Sequence, residues 1–387
     1  MRKLTVLVII FSFITFLVYK KPGTVIKPSP SVEKKAIFIS YLEYQSLLAN
    51  KSILKQKEEI IKIIDNIKSL DLNMLIIQVR SFCDSIYPSK IYPFSSVFTG
   101  VELESFPFDY LDFIIKIAKE KGIEVHAWIN PYRIRNKTDI SSISKYSPAF
   151  LYLNTNHVKV IKDKGIYFNP ASKVVETLIL DGIKELIANY KIDGLLLDDY
   201  FYPDKTIDLE NYKLANTNMT IDEYRFNNIN QLVKKIYRLT KTNNIKLSIS
   251  LEGNIENNYL FNYADLKKWL SEEGYLDYVM PQIYFGFNNE RKPYLETVKI
   301  WNDLIKIKSI KLIPAISSYK IGQEDINALG GKDEWLNNND ILMKQVLVSR
   351  NLSNYIGFSI FRYEYLFNDK YKTINTFNEL NNLKAIL

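Results

Sequence analysis

Short apolar segments alternate with amphipathic segments along most of this chain, and this alternation constrains the fold more than any other feature. Eight segments have the length and composition of buried strands, at residues 36–41, 74–79, 123–129, 192–197, 246–251, 278–283, 312–316 and 356–361. Helices are predicted between them, at residues 53–69, 109–121, 169–190, 221–240, 265–271, 292–308 and 338–350. Eight strands that alternate with helices predict an α/β fold, a (β/α)8 TIM barrel with enlarged βα loops.

A doubly wound open sheet is the alternative fold. That fold usually carries a glycine-rich phosphate-binding turn directly after its first strand. Here the first predicted strand runs into Ser40, Tyr41, Leu42 and Glu43, which include no glycine. The barrel is therefore the preferred interpretation.

The first 35 residues are predicted to lie outside the barrel, which is assigned to residues 36–387. Residues 1–21 place Arg2 and Lys3 before an apolar run and a second basic pair, the pattern of a signal peptide or membrane anchor. Because no small-residue cleavage motif follows, we favour an uncleaved anchor over a cleaved signal. Residues 22–35 contain three prolines and are interpreted as a tether. The expected location is therefore extracytoplasmic, either anchored to the cytoplasmic membrane by the N-terminus or secreted.

Charge, cysteine and histidine content exclude several kinds of function. Residues 1–35 hold seven lysines or arginines and one glutamate, so most of the net charge of +8 lies outside the predicted barrel and no nucleic-acid partner is expected. The single cysteine, Cys83, excludes an internal disulfide and a cysteine-built metal site. The only histidines are His126 and His157, and no Gly-x-Ser-x-Gly elbow is present. The sequence therefore predicts no metal, no cofactor and no serine nucleophile.

The fourth predicted strand carries the strongest functional signal, since it ends in Asp198 and Asp199. Barrel enzymes keep their reacting groups at the carboxyl ends of the strands, and the other predicted strands also end in polar or aromatic residues. Amide, arginine and tyrosine side chains bind hydroxyl groups while aromatic faces cover sugar rings, so a carbohydrate ligand is expected. The predicted substrate-binding residues are Gln78, Arg80, His126, Trp128, Asn130, Tyr132, Arg133, Tyr200, Tyr202, Asn254, Gln282, Tyr284 and Tyr363.

Glycoside hydrolysis requires two carboxyl groups that flank the scissile bond. Glu252, at the end of the fifth strand, is the proposed general acid, and Asp198 or Asp199 is the proposed nucleophile or base. Asp198 is preferred because it is in phase with Gly194 and Leu196, which are expected to face the barrel interior.

Two arginines are expected beside these carboxyl groups. Arg80 and Arg133 follow the second and third strands, where either could hold an aspartate ionised or bind a substrate carboxylate in a bidentate manner. For His126, a satisfied histidine of the barrel core is an equally good interpretation.

Six motifs stand in order over residues 36–365. They are residues 78–80 (Gln-Val-Arg), 87–93 (Tyr-Pro-Ser-Lys-Ile-Tyr-Pro), 126–133 (His-Ala-Trp-Ile-Asn-Pro-Tyr-Arg), 193–203 (Asp-Gly-Leu-Leu-Leu-Asp-Asp-Tyr-Phe-Tyr-Pro), 250–254 (Ser-Leu-Glu-Gly-Asn) and 277–284 (Asp-Tyr-Val-Met-Pro-Gln-Ile-Tyr). Together these motifs resemble those of the glycosyl-hydrolase-like family 10 proteins. The resemblance implies a bacterial envelope protein with a TIM barrel that cleaves glycans, some relatives acting on peptidoglycan strands without stem peptides. One departure is Leu251, where the family pattern places a proline before the acid.

Two other functions are compatible with the same barrel. A non-catalytic glycan-binding barrel at the cell wall would use the same polar and aromatic residues without turnover. A chitinase-type enzyme would need a Asp-Gly-x-Asp-x-Asp-x-Glu strand, but Leu196 and Tyr200 stand at its second Asp and its Glu positions. A polysaccharide or peptidoglycan glycan strand is thus the expected partner, and the sequence leaves the oligomeric state open.

Overall fold

The predicted strands form a parallel sheet that closes on itself. The computed structural model describes residues 32–198 and 201–387. Its sheet segments are numbered here in chain order as barrel strands one to eight. They are Lys34–Ile39, Met74–Arg80, Glu124–Ile129, Gly194–Leu197, Lys246–Ile249, Tyr278–Val279, Lys311–Leu312 with Ala315–Ser317 (the two halves of strand seven), and Gly357–Phe361. The first half of strand seven pairs with strand six, and its second half pairs with strand eight. Because both edges of the sheet belong to strand seven, the sheet is a closed barrel.

Alternation along each strand separates an interior layer from a layer that faces the helices. Leu196 packs inside the barrel with Phe38, Ile76 and Trp128. Its neighbours Leu195 and Leu197 join the larger core between the sheet and the helices. Residue 198 therefore emerges on the inner side of the strand, as its phase predicts.

Helices cover the outside of the barrel. The longer ones are Ile53–Ser69, Tyr110–Glu120, Lys173–Asn189, Ile221–Thr242, Tyr294–Leu304, Ile341–Ser349 and Ile374–Lys384. Shorter helical segments are Tyr41–Glu43, Tyr44–Leu48, Ser96–Thr99, Ile140–Ser142, Pro148–Tyr152, Leu209–Ala215, Ile255–Leu260, Leu266–Ser271, Ile326–Gly331, Glu334–Asn337, Glu364–Phe367 and Asp369–Tyr371. Side chains of Ser52, Asp109, Ser172 and Thr220 accept backbone N–H groups at the starts of four long helices.

Several elements differ from the sequence expectation. The helix expected from Asn169 begins at Lys173, because the Asn169 side chain accepts the backbone N–H of Ala171 at 2.9 Å and thereby forms a turn before the helix. The long loop after strand three contains an unpredicted antiparallel sheet of Arg133–Arg135, Val158–Ile161 and Gly165–Phe168. The C-terminal helix Ile374–Lys384 was also not predicted.

The chain joins the barrel earlier than the predicted boundary at residue 36. Strand one begins at Lys34, and Glu33 forms an ion pair with Arg350 at 2.7 Å. The predicted anchor at residues 1–21 and most of the predicted tether lie outside the described residues. Within the described ranges, no helix has the length and apolar character needed to cross a membrane.

Candidate active site

The carboxyl ends of the barrel strands, called here the barrel mouth, enclose a pocket with a volume of about 240 Å³. This central pocket is lined by Phe38, Ser40, Tyr41, Leu42, Gln78, Trp128, Arg133, Asp198, Ser250, Gln282, Tyr284 and Phe361. The lining combines one buried carboxylate with amides and several aromatic rings. Such a combination of apolar walls and few polar groups is typical of a small-molecule or saccharide site.

Asp198 is oriented by a chain of amide groups that crosses four strands. Its Oδ2 accepts a hydrogen bond from Asn130 Nδ2 at 2.8 Å, and Asn130 Oδ1 accepts from Gln78 Nε2 at 2.5 Å. Gln78 Oε1 in turn accepts the backbone N–H of Tyr41 at 3.0 Å. Because a backbone N–H can only donate, it determines the orientation of both amides, and Asn130 must present its donor to Asp198.

Glu252 lies in a second cavity that adjoins the central pocket. This side cavity has a volume of about 420 Å³ and shares Gln282 and Tyr284 with the central pocket. Glu252 Oε2 accepts from Asn257 Nδ2 at 2.6 Å, and Gln282 Nε2 lies 3.4 Å from Asp198 Oδ1. Asp198 lines the central pocket and Glu252 lines the side cavity. These two adjoining cavities, called here the cleft, share Gln282 and Tyr284.

Aromatic rings form the walls of this cleft. Tyr284 stacks on Phe361 with ring centroids 5.5 Å apart, and Tyr319 packs edge-on against Tyr284 at 5.7 Å. Trp128 closes the inner side of the central pocket. Burial raises the pKa of Tyr319 to about 12, so this hydroxyl stays protonated and is available as a donor.

The rim beside Tyr41 carries the predicted Arg133. Its Nε donates to the carbonyl of Ser81 at 3.0 Å, and its guanidinium lies 5.0 Å from the ring centre of Phe82. Arg133 lines the central pocket as expected, whereas Asn254 lines the side cavity, where it caps the helix Ile255–Leu260.

A buried ion cluster at the mouth was not singled out from the sequence. Arg362 Nη1 lies 2.5 Å from Glu43 Oε1 and 2.9 Å from Glu364 Oε2. Burial opposes the charge of Arg362, but these two carboxylates raise the pKa of its guanidinium overall. Glu43 also accepts from the backbone N–H and hydroxyl of Ser40. The cluster therefore ties the loop after strand one to the end of strand eight. The sequence showed Glu43 and Glu364 after strands one and eight, but it did not show that both pair with Arg362.

His126 does not lie at the mouth, which corrects the prediction that it binds substrate. It is fully buried one interior layer below Trp128, beside Tyr278, with ring centroids 6.4 Å apart. The absence of a side chain at Gly194 makes room for the imidazole, since a Cβ there would lie 2.1 Å from His126 Nδ1. The core interpretation of this histidine is the one that fits its position.

Arg80 is also absent from the mouth, which corrects its predicted role. Its side chain is 2% exposed, and its guanidinium lies 4.0 Å from the ring centre of Tyr92, between the sheet and the helix Lys173–Asn189. The register between strands two and three shifts between Gln78 and Arg80, and the Arg80 side chain lies on the helix side of the sheet. Arg80 therefore contacts neither Asp198 nor the cleft.

Three predicted tyrosines face away from the cleft. Tyr132 belongs to the core between sheet and helices, Tyr202 donates to Asp208 at 3.2 Å, and the hydroxyl of Tyr363 accepts from Asn66 at 2.7 Å. Asp199 and Tyr200 lie outside the described residues.

Among residues 32–198 and 201–387, no group of three or more His, Cys, Asp or Glu side chains is placed to hold a metal ion.

Solved structures with the same fold include several glycoside hydrolases. The glycoside hydrolase domain of PgaB (BpsB) from Bordetella bronchiseptica is 12% identical, with a TM-score of 0.58 over 91% of this chain and 99% of that one. The endo-1,4-beta-mannanase of Rhizomucor miehei is 12% identical, with a TM-score of 0.55 over 92% of this chain and 94% of that one. At such identities the likeness establishes the TIM-barrel fold.

Closer relatives are found among curated proteins. Glycosyl hydrolase YngK of Bacillus subtilis (strain 168) is 32% identical over 297 residues, which are 70% of this chain and 57% of that protein. Glycosyl hydrolase DigH of Escherichia coli (strain K12) is 29% identical over 342 residues, or 80% of this chain and 76% of that protein. The match to YngK thus spans little more than half of that protein's length. The family model Glycosyl hydrolase-like 10 matches residues 35–330, and the chain belongs to this family.

Proposed function

We propose that this chain is a glycoside hydrolase that cleaves O-glycosidic bonds in an extracellular glycan of the bacterial cell wall, such as a peptidoglycan strand. The observation that carries the proposal is the buried carboxylate of Asp198, which Asn130 orients within an aromatic pocket. This pocket shares Gln282 and Tyr284 with the adjoining cavity of Glu252. Two carboxyl groups in adjoining cavities support a two-carboxylate mechanism of glycoside hydrolysis.

The two acids have different surroundings, and these support different roles. Asp198 is 8% exposed and receives amide N–H groups on both oxygens, from Asn130 at 2.8 Å and from Gln282 at 3.4 Å. These donors hold both carboxylate oxygens in place, which suits a nucleophile or base. Glu252 is half-buried in the side cavity, which Tyr284 also lines, and there we assign it the role of general acid to the leaving-group oxygen.

The location of the protein follows from the same proposal. Residues 1–21 would anchor the barrel outside the cytoplasm. Strand one begins at Lys34, on the barrel face opposite to the mouth, because all barrel strands are parallel.

Turnover of glycan strands freed of stem peptides tests the proposal. A version of the chain that begins at Val32 keeps the ion pair of Glu33 with Arg350 and should release new reducing ends. Asp198→Asn should abolish this release while strand binding persists. Glu252→Gln should lower the rate by about 10²–10⁴-fold on strands and less on aryl glycosides, whose leaving groups need little protonation.

A matched substitution separates catalysis from folding. Glu256→Gln, on an exposed acid of the neighbouring helix, should leave the rate unchanged. Binding of strands without any turnover by the unsubstituted protein would favour the non-catalytic glycan-binding barrel. Full activity of both Asp198→Asn and Glu252→Gln would show that other groups perform the chemistry.

A further inference from the structure

A broad cavity with a volume of about 890 Å³ lies outside the barrel mouth, where the helices Ile221–Thr242, Ile255–Leu260 and Leu266–Ser271 meet. The rings of Phe226 and Tyr259 contribute to its lining, with centroids 6.3 Å apart, and both are partly exposed. A cavity of this size with aromatic lining can accommodate a saccharide segment of several rings.

Two amide side chains in this cavity have hydrogen-bonding capacity to spare. Asn218 and Asn227 line the cavity, and within residues 32–198 and 201–387 neither side chain makes a hydrogen bond. By contrast, Asn230 already donates to Asp265 at 3.2 Å and accepts from Trp269 at 2.6 Å. Unpaired amides beside aromatic rings are suited to sugar hydroxyls and sugar faces.

The charged residues of the cavity are already engaged in local contacts. Glu223 closes the capping box of its helix with Thr220, and Asp265 accepts the backbone N–H of Lys268 at 3.3 Å. The Lys268 ammonium pairs with Glu272 at 2.9 Å. Because the charges of the cavity have local partners, the groups left to contact a ligand are the two aromatic rings and the two amides, which suit the rings and hydroxyl groups of a sugar.

The cavity lies across one short helix from the cleft. Asn254 and Asn257, at the start of the helix Ile255–Leu260, line the side cavity of the candidate active site. Tyr259, two positions after Asn257, lines the distal cavity. Residues two positions apart in a helix lie about 200° apart around its axis, so the two cavities occupy opposite sides of this helix.

We propose that this cavity is a distal binding subsite for a glycan polymer, holding a segment of the strand whose scissile bond lies in the cleft. The proposal rests on the proposed function, because a shared polymer is what connects the two cavities. Stacking on the Phe226 and Tyr259 rings and hydrogen bonds from Asn218 and Asn227 would increase the affinity for long strands. A short saccharide confined to the cleft would gain nothing from these contacts.

The test compares two lengths of one glycan. The assay uses long strands from sacculi stripped of stem peptides and tetrasaccharides cut from the same strands. Hydrolysis of each is measured for the unsubstituted protein and for the double variant Asn218→Ala, Asn227→Ala. We expect KM for long strands to rise about three- to tenfold, as for the loss of one or two hydrogen bonds, with kcat unchanged. On the tetrasaccharide, kcat/KM should stay the same.

The control is the double variant Asn378→Ala, Asn381→Ala on the C-terminal helix, which should change neither substrate's KM. An equal effect of Asn218→Ala, Asn227→Ala on both substrates, or no effect on either, would overturn the proposal. If neither substrate were turned over, the proposed function would fail. Affinity electrophoresis in gels that contain long strands would then test strand binding at the distal subsite independently of catalysis. Weaker retardation of the variant would support it, whereas equal retardation or none would refute it.

Discussion

Gln78→Glu tests whether the amide chain controls the reactivity of Asp198. Gln78 is fully buried and keeps nearly the same shape after the substitution, but an ionised carboxylate cannot donate a hydrogen bond. Asn130 Oδ1, which now accepts from Gln78 at 2.5 Å, would face a negative oxygen. We expect the Asn130 amide to rotate and donate to the new carboxylate, which turns its oxygen toward Asp198.

The expected loss follows from the hydrogen bond that Asp198 forfeits. A hydrogen bond to a charged group contributes about 1.5–3 kcal/mol, and each 1.36 kcal/mol of transition-state stabilisation is about tenfold in rate. If the contact at 2.8 Å is needed in the transition state, kcat/KM should fall about 10- to 150-fold near neutral pH. The deficit should shrink as the pH falls, because the protonated form of the introduced acid can donate to Asn130 again.

The assay is a pH profile of reducing-end release for the unsubstituted protein, Gln78→Glu and Gln78→Met. The methionine variant removes both amide contacts without adding a charge, so its smaller deficit should not depend on pH. Thermal unfolding of each variant separates loss of activity from loss of folded protein. A Gln78→Glu variant with an unchanged pH profile and a kcat/KM within about twofold of the original would refute the reasoning.

Two further predictions concern residues whose roles the fold reassigned. Arg80→Met should lower the free energy of unfolding by about 0.5–2 kcal/mol, since the cation–π contact with Tyr92 is lost. Urea titration measures this change, and kcat/KM is measured alongside it. A loss of kcat/KM at unchanged stability would show that Arg80 acts in the active site after all. Partial burial acts to raise the pKa of Glu33, but hydrogen bonds from Arg350 and Tyr355 lower it overall. The contribution of Glu33 to stability is therefore fully present at pH values above its ordinary pKa of 4.5, and it is lost as the pH falls through the lower pKa of the folded state. Glu33→Gln should thus reduce the melting temperature near neutral pH and reduce it by much less in acid. An equal reduction at both would contradict the ion-pair explanation.

Local periodicity accounts for much of the barrel. The helix expected at residues 53–69 is observed as Ile53–Ser69, and all eight predicted strands pair in one sheet. Such patterns are readable because burial on one helix face or on both strand faces constrains each short segment independently. The chain order of the acids also holds information, since Asp198 lies on the inner side in phase with Leu196.

The unpredicted side sheet shows where local reasoning stops. Its strand Val158–Ile161 has two exposed residues out of four, and Lys159 interrupts its apolar residues, so it lacks the continuous apolar run of a buried barrel strand. It forms because antiparallel pairing with Gly165–Phe168 satisfies backbone groups within a long loop. Nothing in a window of that length distinguishes it from an irregular loop.

Which strand-end residues share the cleft was decided only by the tertiary structure. The sequence by itself determined that polar and aromatic residues follow each strand, and it placed Asp198 and Glu252 on neighbouring strands. The closed barrel decided the rest: the irregular register after Gln78 accompanies the turn of Arg80 toward the helices, and His126 lies one layer below Trp128. A side chain's direction depends on register and depth, and both are properties of paired strands that a single strand's sequence does not contain.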